Sequence, residues 1–148
     1  MTGIETDLTL HPQALNWLEA FVKAGWMRGK LTNGSGNLPY ISPAKLKTGF
    51  TLKKETLGKW EKSYVTVEVF ANSAQNRVAA YESSTPGFIL TDIFVGTIPP
   101  LGKNSRWKVT AFCTNLFNVS YYNHLSLIKT IGVREPGRNI GLQWRYEW

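Results

Sequence analysis

The chain has 148 residues, 43% of them hydrophobic and 18% charged, which suffices for one domain and is too apolar for a disordered one. The formal charge of +7 comes from 17 Lys and Arg against 10 Asp and Glu. These basic residues are spread along the chain, so the surplus marks no nucleic-acid patch by itself. The single cysteine, Cys113, excludes an internal disulfide framework and a cysteine-based metal cluster, and it reads as a small apolar strand residue. The two histidines, His11 and His124, have no metal-ligand spacing, and no cofactor or metal is expected.

In chain order the elements predicted are almost all strands. They lie near 3–10, 16–31, 43–53, 61–72, 87–98, 106–117 and 138–148. Residues 12–24 contain Ala, Leu and Glu, which favour helix. They also alternate, Leu18, Ala20, Val22, Ala24 and Trp26 against Glu19, Phe21 and Lys23, and the strand reading is preferred. Each strand has an apolar face: Ile4, Leu8 and Leu10; Leu46, Phe50 and Leu52; Val65, Val67 and Val69; Ile89, Ile93 and Val95; Trp107, Val109 and Ala111. The opposite faces carry Glu5, Asp7, Lys45, Lys47, Glu68, Asp92 and Lys108. The last strand is the clearest, with Ile140, Leu142, Trp144, Tyr146 and Trp148 on one side and Asn139, Gly141, Gln143, Arg145 and Glu147 on the other. About ten residues of such alternation match what a tilted strand needs to cross a bilayer.

The fold class predicted is all-β, an antiparallel meander of about seven strands with one apolar and one wet side. Short connections near 11–15, 54–60 and 99–105 alternate with long ones near 32–42, 73–86 and 118–137. Outer-membrane barrels sort their turns and loops in this way. Trp17, Trp60, Trp107 and Trp148 fall at the short-turn ends and Trp26 at the opposite end, as in aromatic girdles. Trp17 shares the parity of Glu19 and Phe21, which places it on the wet side. No run approaches the roughly eighteen apolar residues of a membrane-spanning helix, a fact without bearing on spanning strands.

Several segments resemble the C-terminal part of the barrel of a TonB-dependent outer-membrane receptor. Gly3-Ile-Glu resembles the opening of a late barrel strand. The stretch from Leu38 through Pro39 and Pro43 to Leu46 resembles the return after an extracellular loop. Gln75 and Arg77, followed by Glu82 and Thr85-Pro-Gly-Phe, resemble the segment leading to the next strand. Asn115, Leu116 and Phe117, with Tyr121, Tyr122 and His124, resemble the segment that closes the penultimate strand. Pro136, Gly137 and Arg138 and the terminal aromatic resemble the last strand, although the family ends on Phe and this chain on Trp148.

The resemblance implies a domain, 1–148, that is the C-terminal part of a barrel of about 22 strands, with the plug domain absent. It implies active transport of a scarce ligand (a siderophore-bound metal, cobalamin or a saccharide) with energy supplied by TonB through the missing plug, at the cell outer membrane. Lipid would face the alternating strands Val65–Val69 and Ile140–Trp148; Lys45, Lys47, Glu68 and Arg145 would face the lumen or plug. Trp144, Tyr146 and Trp148 would be the assembly signal read by the barrel-insertion machinery. Asn115, Leu116, Phe117, Tyr122, His124, Pro136, Gly137 and Arg138 would be structural, with Asn115 satisfying loop backbone groups. Residues 1–7 lack the basic and apolar regions of a signal peptide. Seven strands would also leave two open edges in lipid. The chain is therefore expected to be a fragment, with Met1 internal or added.

Two other classes remain open from the sequence. A soluble basic β-barrel binding single-stranded nucleic acid would use strand-borne aromatics and lysines. It requires the aromatics on the lysine-bearing face, whereas Trp107, Trp144, Tyr146 and Trp148 share the apolar one. An enzyme is not expected: Glu5, Asp7, Glu19, Glu61, Glu68, Glu82 and Asp92 are scattered, and no nucleophile–base arrangement or phosphate-cradling loop occurs. The Gly34-Ser-Gly36 stretch reads as loop.

Overall fold

The computed structural model describes residues 1–32, 36–101 and 107–147. Trp148, Gly34 and Ser35 lie outside the described residues, and so do the expectations placed on them. Seven strands form one antiparallel sheet in sequence order: β1 (Thr2–Leu10), β2 (Leu18–Arg28), β3 (Lys45–Leu57), β4 (Trp60–Asn72), β5 (Phe88–Ile98), β6 (Trp107–Thr114) and β7 (Asn139–Tyr146). This is the expected meander, an open sheet of the kind that makes part of a barrel wall.

The register shows why alternation was decisive. One row crosses all seven strands through Leu10, Ala20, Phe50, Val67, Ile93, Cys113 and Ile140. The next rows on that face include Leu8, Val22 and Thr48, and Leu18, Leu52, Val65, Val95, Ala111 and Leu142. Side chains of period two add up to one continuous apolar surface when every pairing keeps parity. Cys113 is a free thiol within that row.

Several boundaries differ from expectation, and β2 spans Leu18–Arg28 rather than 16–31. β3 runs to Leu57 rather than to residue 53, because Gly58, at φ 65°, allows a tight turn into β4. Adjacent Lys53 and Lys54 break the alternation and hide this extension. β6 stops at Thr114 rather than 117, because Asn115 adopts a left-handed φ of 50° and starts a turn. Within the stretch read as loop at 118–137, Leu127–Ile131 forms a 3-10 helix closed by Gly132 at φ 74°. Five residues are too few to leave a helical periodicity in the sequence.

Trp17 departs from its parity. It precedes β2, its carbonyl accepts a 2.7 Å hydrogen bond from the Lys53 amide, and its ring lines a depression with Leu52, Leu57, Trp60, Val65 and Val95. Trp60 joins the same side because the β4–β5 register shifts between Glu61 and Tyr64, where Lys62 has a φ of 46°, and Leu57 shares that side as the residue paired with Trp60. An extra residue in one strand re-aims the side chains beyond it.

Burial is inverted relative to a water-soluble domain. Among the described residues the buried hydrophobic ones are Ile41, Ala79 and Phe88, whereas Ile4 is 69% exposed, Ile140 74% and Trp144 56%. The sheet has one layer, and among the described residues its apolar face is largely exposed. The buried polar residues Gln75, Thr85, Asn115 and His124 all belong to the long connections.

Candidate functional site

Three surfaces carry chemistry: the apolar face, the wet face and a cap built from the long connections. At the short-connection end of the apolar face, Trp107 opposes Tyr146 in register, with ring centroids 5.0 Å apart. Trp144 meets Trp107 edge-on at 6.5 Å. Tilted and edge-on contacts suit the aromatic quadrupole, and an indole joins an apolar ring to one polar N–H, as a wet interface favours. The two described residues of the expected assembly signal, Trp144 and Tyr146, thus share one aromatic cluster on an edge strand.

The wet face is a ladder of opposed charges. Lys23 reaches Asp7 at 2.7 Å, Lys47 reaches Glu68 at 2.9 Å, and Lys53 pairs with Glu19, which His11 also approaches at 3.5 Å. Lys45 reaches Glu5 at 3.9 Å by crossing Gly25, where an added Cβ would lie 2.9 Å from the Lys45 Cε. Each exposed pair adds at most about 1 kcal/mol, so their effect is chiefly to neutralise the face.

Aromatic rings lie across this face in a repeated manner. Phe21 opposes Gly49, Tyr64 opposes Gly96 and Phe112 opposes Gly141. A Cβ on Gly96 would come within 2.2 Å of the Tyr64 ring, and one on Gly141 within 2.3 Å of the Phe112 ring. Each glycine leaves the bare backbone on which the opposite ring rests, a known means of covering strand glycines. The Tyr64 hydroxyl is anchored to Thr110 at 3.1 Å.

The cap ties the three long connections together. Gln75 bridges Thr85 through backbone bonds of 2.9 and 3.2 Å, and its side-chain amide donates to the Ile41 carbonyl at 2.8 Å. The Asn37 amide donates to the Val78 carbonyl at 3.3 Å. At the centre is His124, 1% exposed. Its Nε2 lies 3.0 Å from Glu82 Oε1, and its Nδ1 lies 3.0 Å from the Thr85 hydroxyl and 3.4 Å from Lys129 Nζ. Neutral imidazole with the proton on Nε2 fits all three partners, since Nε2 then donates to the carboxylate and Nδ1 accepts from the hydroxyl or ammonium. Burial, and then the charge of Lys129, hold the His124 pKa below its ordinary value, against the opposing pull of Glu82. Glu82 also accepts from the backbone amides of Tyr40 at 3.3 Å and Ala79 at 3.4 Å.

The residues singled out by the family resemblance fall in the same cap. Asn115 donates from its side-chain amide to the Val119 carbonyl and accepts from the Val119 amide, both at 2.8 Å, while its own backbone amide donates to Asp92 at 2.8 Å. Arg138 donates from its backbone to the Asn118 side chain at 2.9 Å and from its guanidinium to the Leu116 carbonyl at 3.4 Å. Gly137 sits where a Cβ would lie 2.5 Å from Asn118 Oδ1. Tyr122 donates to the Gly132 carbonyl at 3.3 Å, and Arg134 lies over its ring. Phe117 and Pro136 are exposed. Gln75, Glu82 and Thr85 lie in a segment that resembles the family without a role of their own, and nothing in the sequence marks Lys129. Sequence separation hides such a cluster: Glu82, Thr85, His124 and Lys129 meet through loop packing rather than through spacing on one element.

No protein-family model matches the sequence, and no curated protein sequence matches it. Among solved structures, the copper transporter OprC superimposes on 97% of this chain with a TM-score of 0.77 at 19% sequence identity. The chain spans 23% of that protein's length. The likeness is one of fold: an all-β run of consecutive antiparallel strands, shared with a segment of a transporter.

Proposed function

We propose that the chain is a wall segment of an outer-membrane transport receptor of the TonB-dependent type. The observation that carries this reading is the apolar face shared by seven meander strands, exposed while the buried side chains lie mostly in the long connections. Apolar surface on that scale is stable against lipid and costly against water. The fold likeness to the copper transporter supports the class of protein. In this reading the apolar face meets lipid, and the ladder of Lys23, Lys45, Lys47 and Lys53 lines the lumen. The cap around His124 lies outside the cell, and Trp144, Tyr146 and Trp148 guide insertion by the barrel-assembly machinery. The resemblance of Asn115–Phe117 and Pro136–Arg138 to the family's late strands supports a position in the C-terminal part of the barrel, with TonB acting through a plug domain. The transported ligand is of the scarce kind handled by such receptors: a siderophore-bound metal, cobalamin or a saccharide.

The test is quenching of tryptophan fluorescence by lipids brominated at graded chain depths, on the chain refolded into vesicles. Depth-dependent quenching of Trp144 and Trp107, with other tryptophans replaced by Phe, is expected. A monodisperse, cooperatively melting monomer in plain buffer whose tryptophans ignore brominated lipid would overturn the reading. Nucleic-acid stacking on Trp107, Trp144 and Tyr146 is disfavoured by placement, since they lie on the face away from the lysine ladder, while Phe21, Tyr64 and Phe112 on the lysine face rest on Gly49, Gly96 and Gly141.

A further inference from the structure

Among the described residues of the wet face, every cross-strand charge conflict but one is resolved. Glu68 and Asp92 oppose each other in register, yet Lys47 neutralises Glu68 at 2.9 Å and the Asn115 amide donates to Asp92 at 2.8 Å. Lys108 and Arg145 also oppose each other in register, and neither has an acidic partner among the described residues. Like charges directly opposite in a sheet are destabilising unless a counter-charge sits between them. Both line a recess of about 210 Å³ together with Tyr64, Phe94, Thr110 and Gln143. Lys108 is held in place by the Tyr64 ring, with Nζ 5.5 Å from its centroid. The Tyr64–Thr110 hydroxyl pair uses one of its two protons internally; the other, and the amide protons of Gln143, have no acceptor among the described residues.

We propose that this recess binds a small oxyanion, a phosphate or carboxylate group, clamped between Lys108 and Arg145 and bonded by the Tyr64–Thr110 pair and Gln143. A planar guanidinium beside an ammonium, with neutral donors around them, is the arrangement that recognises such a group. The recess is smaller than the range typical of drug-sized ligands, so it takes the charged group of a small solute rather than a whole macrocycle or oligosaccharide. The site lies on the face assigned above to the lumen, but its chemistry is independent of that assignment. Oxyanion binding can fail while lipid quenching of Trp144 holds, and the reverse.

The experiment uses the full chain in nonionic detergent at fixed ionic strength, titrated with inorganic phosphate and, separately, with acetate. Saturable perturbation of the Arg145 side-chain and Gln143 amide NMR signals is expected. The stronger of the two anions tells whether the group is phosphoryl or carboxyl. Lys108→Gln and Arg145→Gln are each expected to weaken binding by about tenfold or more. Lys108→Arg retains binding and guards against a merely misfolded variant, and Lys23→Gln, which alters a paired cation elsewhere on the face, leaves it unchanged. Absence of saturation with both anions overturns the proposal. So does an equal loss in Lys23→Gln, which would mean diffuse attraction to a basic surface.

Discussion

His124 is the residue whose surroundings make the sharpest demand. Its folded pKa lies below the ordinary value of 6.5, so in the window beneath pH 6.5 the unfolded chain binds more protons than the folded one. The stability contributed by neutral His124 is therefore complete above about pH 6.5 and is lost as pH falls toward and through the depressed folded value. Protonation would put a proton on Nδ1, facing Lys129, and remove the acceptor used by Thr85. Amide hydrogen exchange across 73–87 and 115–138 is expected to quicken on acidification in that window, and His124→Gln should flatten the dependence. Unchanged pH sensitivity in that variant would remove His124 as the cause. Asn115→Ala leaves the Val119 backbone groups without their side-chain partners and is expected to lower stability by about 1–3 kcal/mol. Urea unfolding in lipid vesicles measures it. Asn115 was legible in the sequence as a residue suited to bonding loop backbone. His124 stood out only as part of a family motif, because nothing in its neighbours' identity announces Glu82 or Lys129.

At the scale of the strand, parity decides what a substitution does. Ile93 lies in the row that crosses the whole apolar face, in the middle of β5. Ile93→Arg is expected to cost about 2–4 kcal/mol for a chain folded in vesicles, whereas Thr66→Arg, on the opposite face of β4, should cost only about 1 kcal/mol, the loss of its 2.9 Å hydroxyl bond to Thr51. Similar losses at both sites would contradict the assignment of lipid to the apolar face. The glycine–aromatic pairs make a second demand on the strands. Gly96→Ala forces the Tyr64 ring to move and release Thr110, with an expected loss of about 1–3 kcal/mol. If the ring support is the cause, the same glycine change in a Tyr64→Ala background should cost much less. Alternation revealed the strands and their faces; it could not reveal the bulge at Lys62 or the return of Leu57 and Trp60 to the apolar side, because parity carries no information across an irregular residue.

For the whole molecule, the dominant fact is a single-layer sheet with an uncovered apolar face and two edge strands, β1 and β7. Without lipid or detergent the chain is expected to aggregate, since its apolar side chains and unpaired strand edges both favour association. Light scattering on dilution from detergent into buffer should show rapid growth of large particles, suppressed when lipid vesicles are present. A stable monomer after such dilution would argue that another surface covers the face.

By itself the sequence determined the strand order, the alternation of short and long connections and the composition of the two faces. These follow from local periodicity, because side chains on a strand repeat every second residue regardless of what the strand meets. The tertiary structure decided what lies between elements: the Glu82–His124–Lys129 cluster, the rings resting on Gly49, Gly96 and Gly141, and the opposed pair Lys108 and Arg145. Register and loop packing create those contacts among residues far apart in the chain, and a one-residue change in pairing would have produced a different set.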